Sequence, residues 1–127
     1  MHSANLEHVN MTVSDPVRTA KMLCDLFGWQ IRWQGDSSIG GYTVHVGADK
    51  SYLALYSPSS TRERKTSSYE TRGGLNHVGV VVDDIEDVEQ RVIAAGYEPN
   101  NHGDYEPGRR FYFDDHDGIE YEVVNYE

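Results

Sequence analysis

The stretch Leu6-Glu7-His8-Val9-Asn10-Met11-Thr12-Val13-Ser14-Asp15-Pro16 has a counterpart in Leu75-Asn76-His77-Val78-Gly79-Val80-Val81-Val82-Asp83-Asp84-Ile85. Leu6, His8, Val9, Val13 and Asp15 recur as Leu75, His77, Val78, Val82 and Asp84 at one offset, 77 − 8 = 69. A repeat of this kind is the first thing to look for, because missing it miscalls the fold. Residues 7–13 and 76–82 are short and rich in β-branched side chains, so they read as strands. Asp15 and Asp84 then suit helix N-caps, whose carboxylates accept free first-turn amides. Pro16 suits the first helical position, where no donor is missed.

Working outward, a one-residue slip to an offset of 68 places Val17, Ala20, Cys24 and Phe27 over Ile85, Val88, Val92 and Ala95. That spacing marks one apolar helix face in each copy, and Gly28 and Gly96 suit the left-handed stop. Three strand-like runs follow each helix, near 29–33, 40–46 and 52–56, and near 97–101, 109–114 and 119–126. Asp115-His116-Asp117-Gly118 reads as the turn of the last hairpin. The pattern is βαβββ twice, an α+β chain. We expect one domain, 1–127, of two modules at about 1–57 and 75–127, with the Ser-, Thr-, Arg- and Gly-rich segment 58–74 as linker.

Composition narrows the class of function. The chain has 127 residues, 21 acidic against 11 basic, for a net charge of −10. That balance disfavours binding to a phosphate backbone. No apolar run approaches the ~20 residues that span a bilayer, and the first five residues lack the pattern of a signal peptide. A single cysteine, Cys24, allows no internal disulfide and fits a reducing compartment. The expectation is a cytoplasmic protein that binds neither nucleic acid nor membrane.

Strand alternation sorts the polar residues. Val9, Met11 and Val13 share the face that should meet the helix, leaving His8, Asn10 and Thr12 on the other; Val78, Val80 and Val82 likewise leave His77 opposite. On the last strand Glu120, Glu122 and Val124 alternate with Tyr121, Val123 and Asn125. A lone strand histidine is usually a hydrogen-bonded structural residue, and a lone strand glutamate usually faces water. Two histidines at equivalent places, with a mid-strand glutamate that is costly to bury uncompensated, favour a divalent cation. Tyr112 shares a face with Arg110, and His45 lies on the face of Thr43. Tyr112 suits a hydrogen-bond donor, His45 an acid or base, and Arg110 and Asn10 substrate contacts.

Paired βαβββ units with His8 and His77 in the first strands and Glu122 in the last resemble the vicinal-oxygen-chelate superfamily. That superfamily includes glyoxalase I, extradiol dioxygenases, fosfomycin-resistance thiol transferases and bleomycin-resistance proteins. The segment Phe111–Glu122 resembles its closing hairpin, with His116 where proline is usual. The resemblance implies a glyoxalase-like fold, the modules pairing into a curved mixed sheet with a cleft. It also implies one divalent metal on His8, His77 and Glu122, Fe²⁺ or Mn²⁺ before Ni²⁺ or Zn²⁺. The family's fourth ligand position falls on Leu53 by the internal repeat or on Ala54 by resemblance, and neither side chain can ligate. Three ligands match a dioxygenase-like set better than a glyoxalase set. The implied function is a metal-dependent enzyme, a dioxygenase or glyoxalase-type lyase acting on a small chelated substrate, in a homodimer. The alternative is a metal-free binding protein of the bleomycin-resistance type, whose cleft aromatics would come from Trp29, Trp33, Tyr42, Tyr52 and Tyr56.

Overall fold

The computed structural model describes residues 3–105 and 108–127. The chain forms two compact units, Met1–Arg62 and Glu63–Glu127. The first holds β1 (His8–Thr12), α1 (Pro16–Phe27), β2 (Gln30–Asp36), β3 (Tyr42–Gly47) and β4 (Tyr52–Ser57). The second opens with a single 3₁₀ turn at Ser68–Glu70, then β5 (Val78–Val81), α2 (Ile85–Ala94), β6 (Asn100–Tyr105), β7 (Gly108–Asp114) and β8 (Glu120–Asn125). Each unit is βαβββ with a four-stranded mixed sheet, ordered β1-β4-β3-β2 in one and β5-β8-β7-β6 in the other. The β1–β4 and β5–β8 pairs are parallel and the rest antiparallel. None of the described helices is long and apolar enough to cross a membrane.

The repeated signals act as local chemistry requires. Asp15 Oδ1 accepts from the Arg18 amide at 3.2 Å and Asp84 Oδ1 from the Asp87 amide at 3.0 Å, so each carboxylate caps its helix. Gly28 (φ 71°) closes α1 with its amide 2.9 Å from the Cys24 carbonyl, and Gly96 (φ 94°) follows α2. The last hairpin turns on Asp115, which is buried. Its Oδ1 accepts from the amides of Asp117 (2.8 Å) and Ile119 (3.0 Å), and its Oδ2 accepts from the Tyr121 hydroxyl (3.2 Å).

Each helix covers one face of its own unit's sheet. Ala20, Leu23 and Leu26 of α1 are buried with Met11, Val13, Val44, Val46, Leu53 and Leu55. Ile85, Val88 and Val92 of α2 are buried with Val80, Phe111, Phe113, Tyr121 and Val123. The opposite face of each sheet carries the polar residues of interest.

Three expectations need correction. The buried face of α1 is Pro16, Thr19, Ala20, Met22, Leu23 and Leu26, whereas Val17 is 49% exposed and Cys24 and Phe27 are only half-buried. In α2, Ala95 is exposed. Pro16, Thr19 and Leu23 thus answer to Ile85, Val88 and Val92 at the original offset of 69. The slip enters at the helix end, because α1 has twelve residues and α2 ten. Secondly, β6 begins at Asn100 and not at residue 97. The Tyr97 amide is spent on the Val92 carbonyl at 3.1 Å, and Pro99 has no amide to give. Thirdly, His77 lies one residue before β5 and not within it.

The corrected helix face makes a prediction. Leu23→Ala should cost about 2–5 kcal/mol in urea unfolding, as a buried leucine does. Val17→Ala should stay within about 0.5 kcal/mol, as exposed positions do. Equal losses at the two would restore the face first expected.

Candidate functional site

In the second unit the alternation of β8 sends Tyr121 and Val123 toward α2 and leaves Glu120 and Glu122 on the open face. Tyr112 of β7 pairs with Glu122. Glu122 is mostly buried, its side chain 14% exposed, so its charge needs partners. Arg110 Nη1 donates to Glu122 Oε2 at 2.7 Å. Glu122 Oε1 lies 3.2 Å from His77 Nε2. On the other side of that ring, Nδ1 is 3.1 Å from the Tyr69 hydroxyl oxygen and 3.4 Å from Glu120 Oε1. Tyr69 in turn donates a short hydrogen bond to Glu120.

Counting donors assigns the proton on His77. Tyr69 has one hydroxyl hydrogen, and Glu120 takes it, so the Tyr69 oxygen must accept from His77 Nδ1–H. The relay runs His77 Nδ1–H to Tyr69 to Glu120. Nε2 then presents its lone pair to Glu122, and two acceptors 3.2 Å apart require a positive species between them. A second ring proton would serve, and so would a metal ion. An ion about 2.1 Å from each of two neighbouring ligands holds them about 3.0 Å apart, so the His77–Glu122 spacing fits one.

Tyr112 meets the His77 ring edge-on, centroids 5.8 Å apart. Burial, then the adjacent Glu122 carboxylate, raises its phenol's pKa, which keeps it a donor at neutral pH. Arg110 Nε and Nη2 are buried without hydrogen-bond partners among the described residues, and its guanidinium lies 5.0 Å over the Tyr105 ring.

In the first unit, His8 Nδ1 lies 2.9 Å from Glu7 Oε1. A carboxylate only accepts, so Nδ1 carries a proton and Nε2 faces away from Glu7. Tyr52 also donates to Glu7 Oε1, at 3.4 Å. His45 reaches the same neighbourhood, its ring 4.6 Å from that of Tyr52. Burial, then the charges of His8 and Arg32, lower the His45 pKa, which favours its neutral, proton-accepting form. Asn10 is exposed and stands opposite Ala54 in the β1–β4 register.

That register places the fourth family position. Asn10 pairs with Ala54 as Gly79 pairs with Glu122, and Asn10 and Gly79 are equivalent at the offset of 69. Ala54 is therefore the counterpart of Glu122, and Leu53, buried on the helix side, is not. By the same reasoning Tyr52, opposite His8, is the counterpart of Glu120.

The fold thus brings His77, Glu122, Arg110 and Tyr112 together in one unit, and His8 and His45 onto either side of Tyr52 in the other. Among the described residues no three His, Cys, Asp or Glu side chains are grouped so as to hold a metal ion. Sequence reasoning missed Glu7, Tyr69 and Glu120 as partners of the histidines. Alternation already put Glu120 beside Glu122 and could have flagged it. Tyr69 carried no signal, since residues 58–74 read as linker, yet that segment contributes Tyr69 and an Arg64 Nη2 bond to the Gly118 carbonyl at 3.1 Å.

Two βαβββ units, each with a histidine leading into or opening its first strand, define a duplicated fold whose open sheet faces carry the polar chemistry. The family model of the Glyoxalase/Bleomycin resistance protein/Dioxygenase superfamily matches residues 5–123, and the chain belongs to that family. Among solved structures it is similar to the glyoxylase/bleomycin resistance protein/dioxygenase domain from Frankia sp. EAN1pec. The TM-score is 0.81 and the identity 20%, over 99% of this chain and 100% of that one. The glyoxalase family protein from Enterococcus faecalis gives 0.77 and 20%, over 98% and 99%. The fosfomycin resistance protein FosX from Listeria monocytogenes gives 0.72 and 18%, over 98% and 94%. At these identities the likeness is one of fold. No curated protein matches the chain.

The relay through Tyr69 has a spectroscopic consequence. Its phenol is pushed up to about 12, mainly by the hydrogen bond to Glu120. A raised folded pKa means that the stabilisation is fully present below the ordinary tyrosine value near 10 and is lost as pH rises through about 12. Ultraviolet titration of tyrosinate should show a phenol ionising near 12 that Tyr69→Phe removes and Glu120→Gln shifts down. A titration unchanged by either substitution would contradict the relay.

Proposed function

We propose that this protein is a divalent-metal-dependent enzyme acting on a small oxygen-bearing substrate, with a dioxygenase-like ligand set of His8, His77 and Glu122. The observation that carries the reading is the matched treatment of the two histidines. Each commits Nδ1 toward a carboxylate of its own unit, Glu7 directly and Glu120 through Tyr69. Each thereby keeps Nε2 as a ligand atom. Metal-binding histidines are oriented in this way, by a carboxylate on the far ring nitrogen. Glu122, clamped by Arg110 on one oxygen, offers the other as a single donor.

When bound, an Fe²⁺ or Mn²⁺ ion would supply Lewis-acid stabilisation of negative charge on a substrate that chelates through two adjacent oxygens. The protein's own groups do the rest. Tyr112, protonated at neutral pH, places its hydroxyl on the open face beside Glu122. His45, neutral, accepts a proton. Arg110 orients the Glu122 carboxylate through Nη1, and its Nε and Nη2, without partners among the described residues, suit a substrate contact. Asn10 remains an exposed amide on the His8 face, suited to a polar substrate group.

We further propose a homodimer, because edge strands expose Val9 (37%), Ile31 (41%) and Val81 (65%), and unpaired apolar edges seek cover. Light scattering at micromolar concentration should give twice the chain mass, and a monomer would refute the pairing.

Elemental analysis of protein purified without added metal tests the enzyme reading. One equivalent of a divalent metal is expected in the parent, with loss in His8→Ala and in Glu122→Ala. A parent that neither carries nor takes up Fe²⁺, Mn²⁺, Ni²⁺ or Zn²⁺ would leave the metal-free binding protein as the better account.

A further inference from the structure

Arg110 is engaged on one side only. Its side chain is 13% exposed, and Nη1 donates to Glu122 Oε2 at 2.7 Å. Nε and Nη2 are buried and have no hydrogen-bond partner among the described residues. These two nitrogens stand side by side along one edge of the guanidinium, and Nη1 lies away from that edge. The unfilled edge is a two-donor fork, spaced for the two oxygens of a carboxylate. A buried charged donor without an acceptor is costly, and proteins rarely leave one so. Glu122 balances the charge of Arg110 but takes only one of its nitrogens.

The Tyr105 ring packs on this guanidinium, 5.0 Å from it. Arg110 of β7 pairs with Gly103 of β6, and Tyr105 stands two residues beyond Gly103 on the same face. The missing side chain at Gly103 lets the ring fold back onto Arg110. A Cβ there would come within 2.5 Å of Tyr105 Cε1, so the ring could not stay where it is. A glycine within a strand often marks such a close approach. Tyr105 is itself 61% exposed, so little packing holds it down, and a cation–π contact at the surface is weak. The ring is a cover that can lift.

We infer that the Nε–Nη2 edge of Arg110 binds a carboxylate of the substrate, and that Tyr105 swings off Gly103 to admit it. The substrate is thereby narrowed to a carboxylic acid. Its acid group lies on the face of β7 that carries Tyr112, beside Glu122. Arg110 then has two tasks on one rigid plane, orienting Glu122 with Nη1 and the ligand with the opposite edge. The inference rests on the enzyme reading above in giving the carboxylate to a substrate. The fork itself needs no metal ion, so the two can fail separately.

A nuclear magnetic resonance titration of isotope-labelled, metal-stripped, full-length protein tests it, with benzoate and its neutral isostere benzamide as probes. Benzoate should shift the Arg110 Nε–H signal, which Arg110→Lys identifies by removing it. Benzamide should bind at least about tenfold more weakly, the scale of a lost hydrogen bond to a charged group. Arg110→Lys keeps a cation for Glu122 but has no fork, and should bring benzoate down to the benzamide level. Tyr105→Ala and Gly103→Ala uncover the fork by different routes. Each should tighten benzoate by about threefold, the scale of a surface cation–π contact that no longer has to be broken. Arg109→Gln should change nothing, because that guanidinium pairs with Glu86 of α2. Absence of benzoate binding, equal binding of benzamide, an unchanged Arg110→Lys variant, or no tightening in both Tyr105→Ala and Gly103→Ala would overturn the proposal. A parent that binds benzoate as expected yet takes up no metal would sink the enzyme reading and keep the carboxylate site.

Discussion

A carboxylate in the middle of a mostly buried strand is the constraint to which the second unit answers. Glu122 cannot be turned outward, because alternation on β8 is fixed by Tyr121 and Val123 in the core on either side. Leaving it uncompensated would cost several kcal/mol. The unit surrounds it with Arg110 on one oxygen and His77 opposite the other. Fixing His77 then requires something for Nδ1, which Tyr69 and Glu120 provide. The segment ahead of β5 is drawn into the unit by that requirement.

Duplication makes the comparison internal. The two units share caps, helix placement and sheet order, but the equivalent open-face positions diverge. Glu122 and Glu120 on β8 answer to Ala54 and Tyr52 on β4. The second unit accordingly builds a charged network around its histidine, while the first packs its histidine into stacked rings. Both still direct Nδ1 toward a carboxylate, His8 to Glu7 directly and His77 to Glu120 through Tyr69.

Much of this was legible in the chain. Asp15, Asp84, Gly28 and Gly96 act locally, through backbone hydrogen bonds and left-handed φ, so their roles can be read from identity and spacing alone. The strands of the last hairpin could be placed because Asp115 and Gly118 mark their turn. The inward face of α1 was misjudged because Val17, Cys24 and Phe27 form an equally apolar stripe. Only packing against Val44, Val46 and Leu55 decides between that stripe and the one through Leu23. The start of β6 was misplaced because Tyr97 reads as a strand residue until its amide is seen to be used by α2. His77, Glu122, Arg110 and Tyr112 were found by alternation, which is a local rule. Tyr69 was not, since its partner Glu120 lies fifty-one residues away and no local pattern connects them.

The most direct test of the Glu122–His77 account is a crystal structure of the protein grown with Mn²⁺ or Fe²⁺, phased to show anomalous scattering at the metal's edge. The account predicts a peak about 2.1 Å from both His77 Nε2 and Glu122 Oε1, with Arg110 still on the other carboxylate oxygen. Peaks only elsewhere, or a His77 ring flipped to turn Nε2 toward Tyr69, would contradict it.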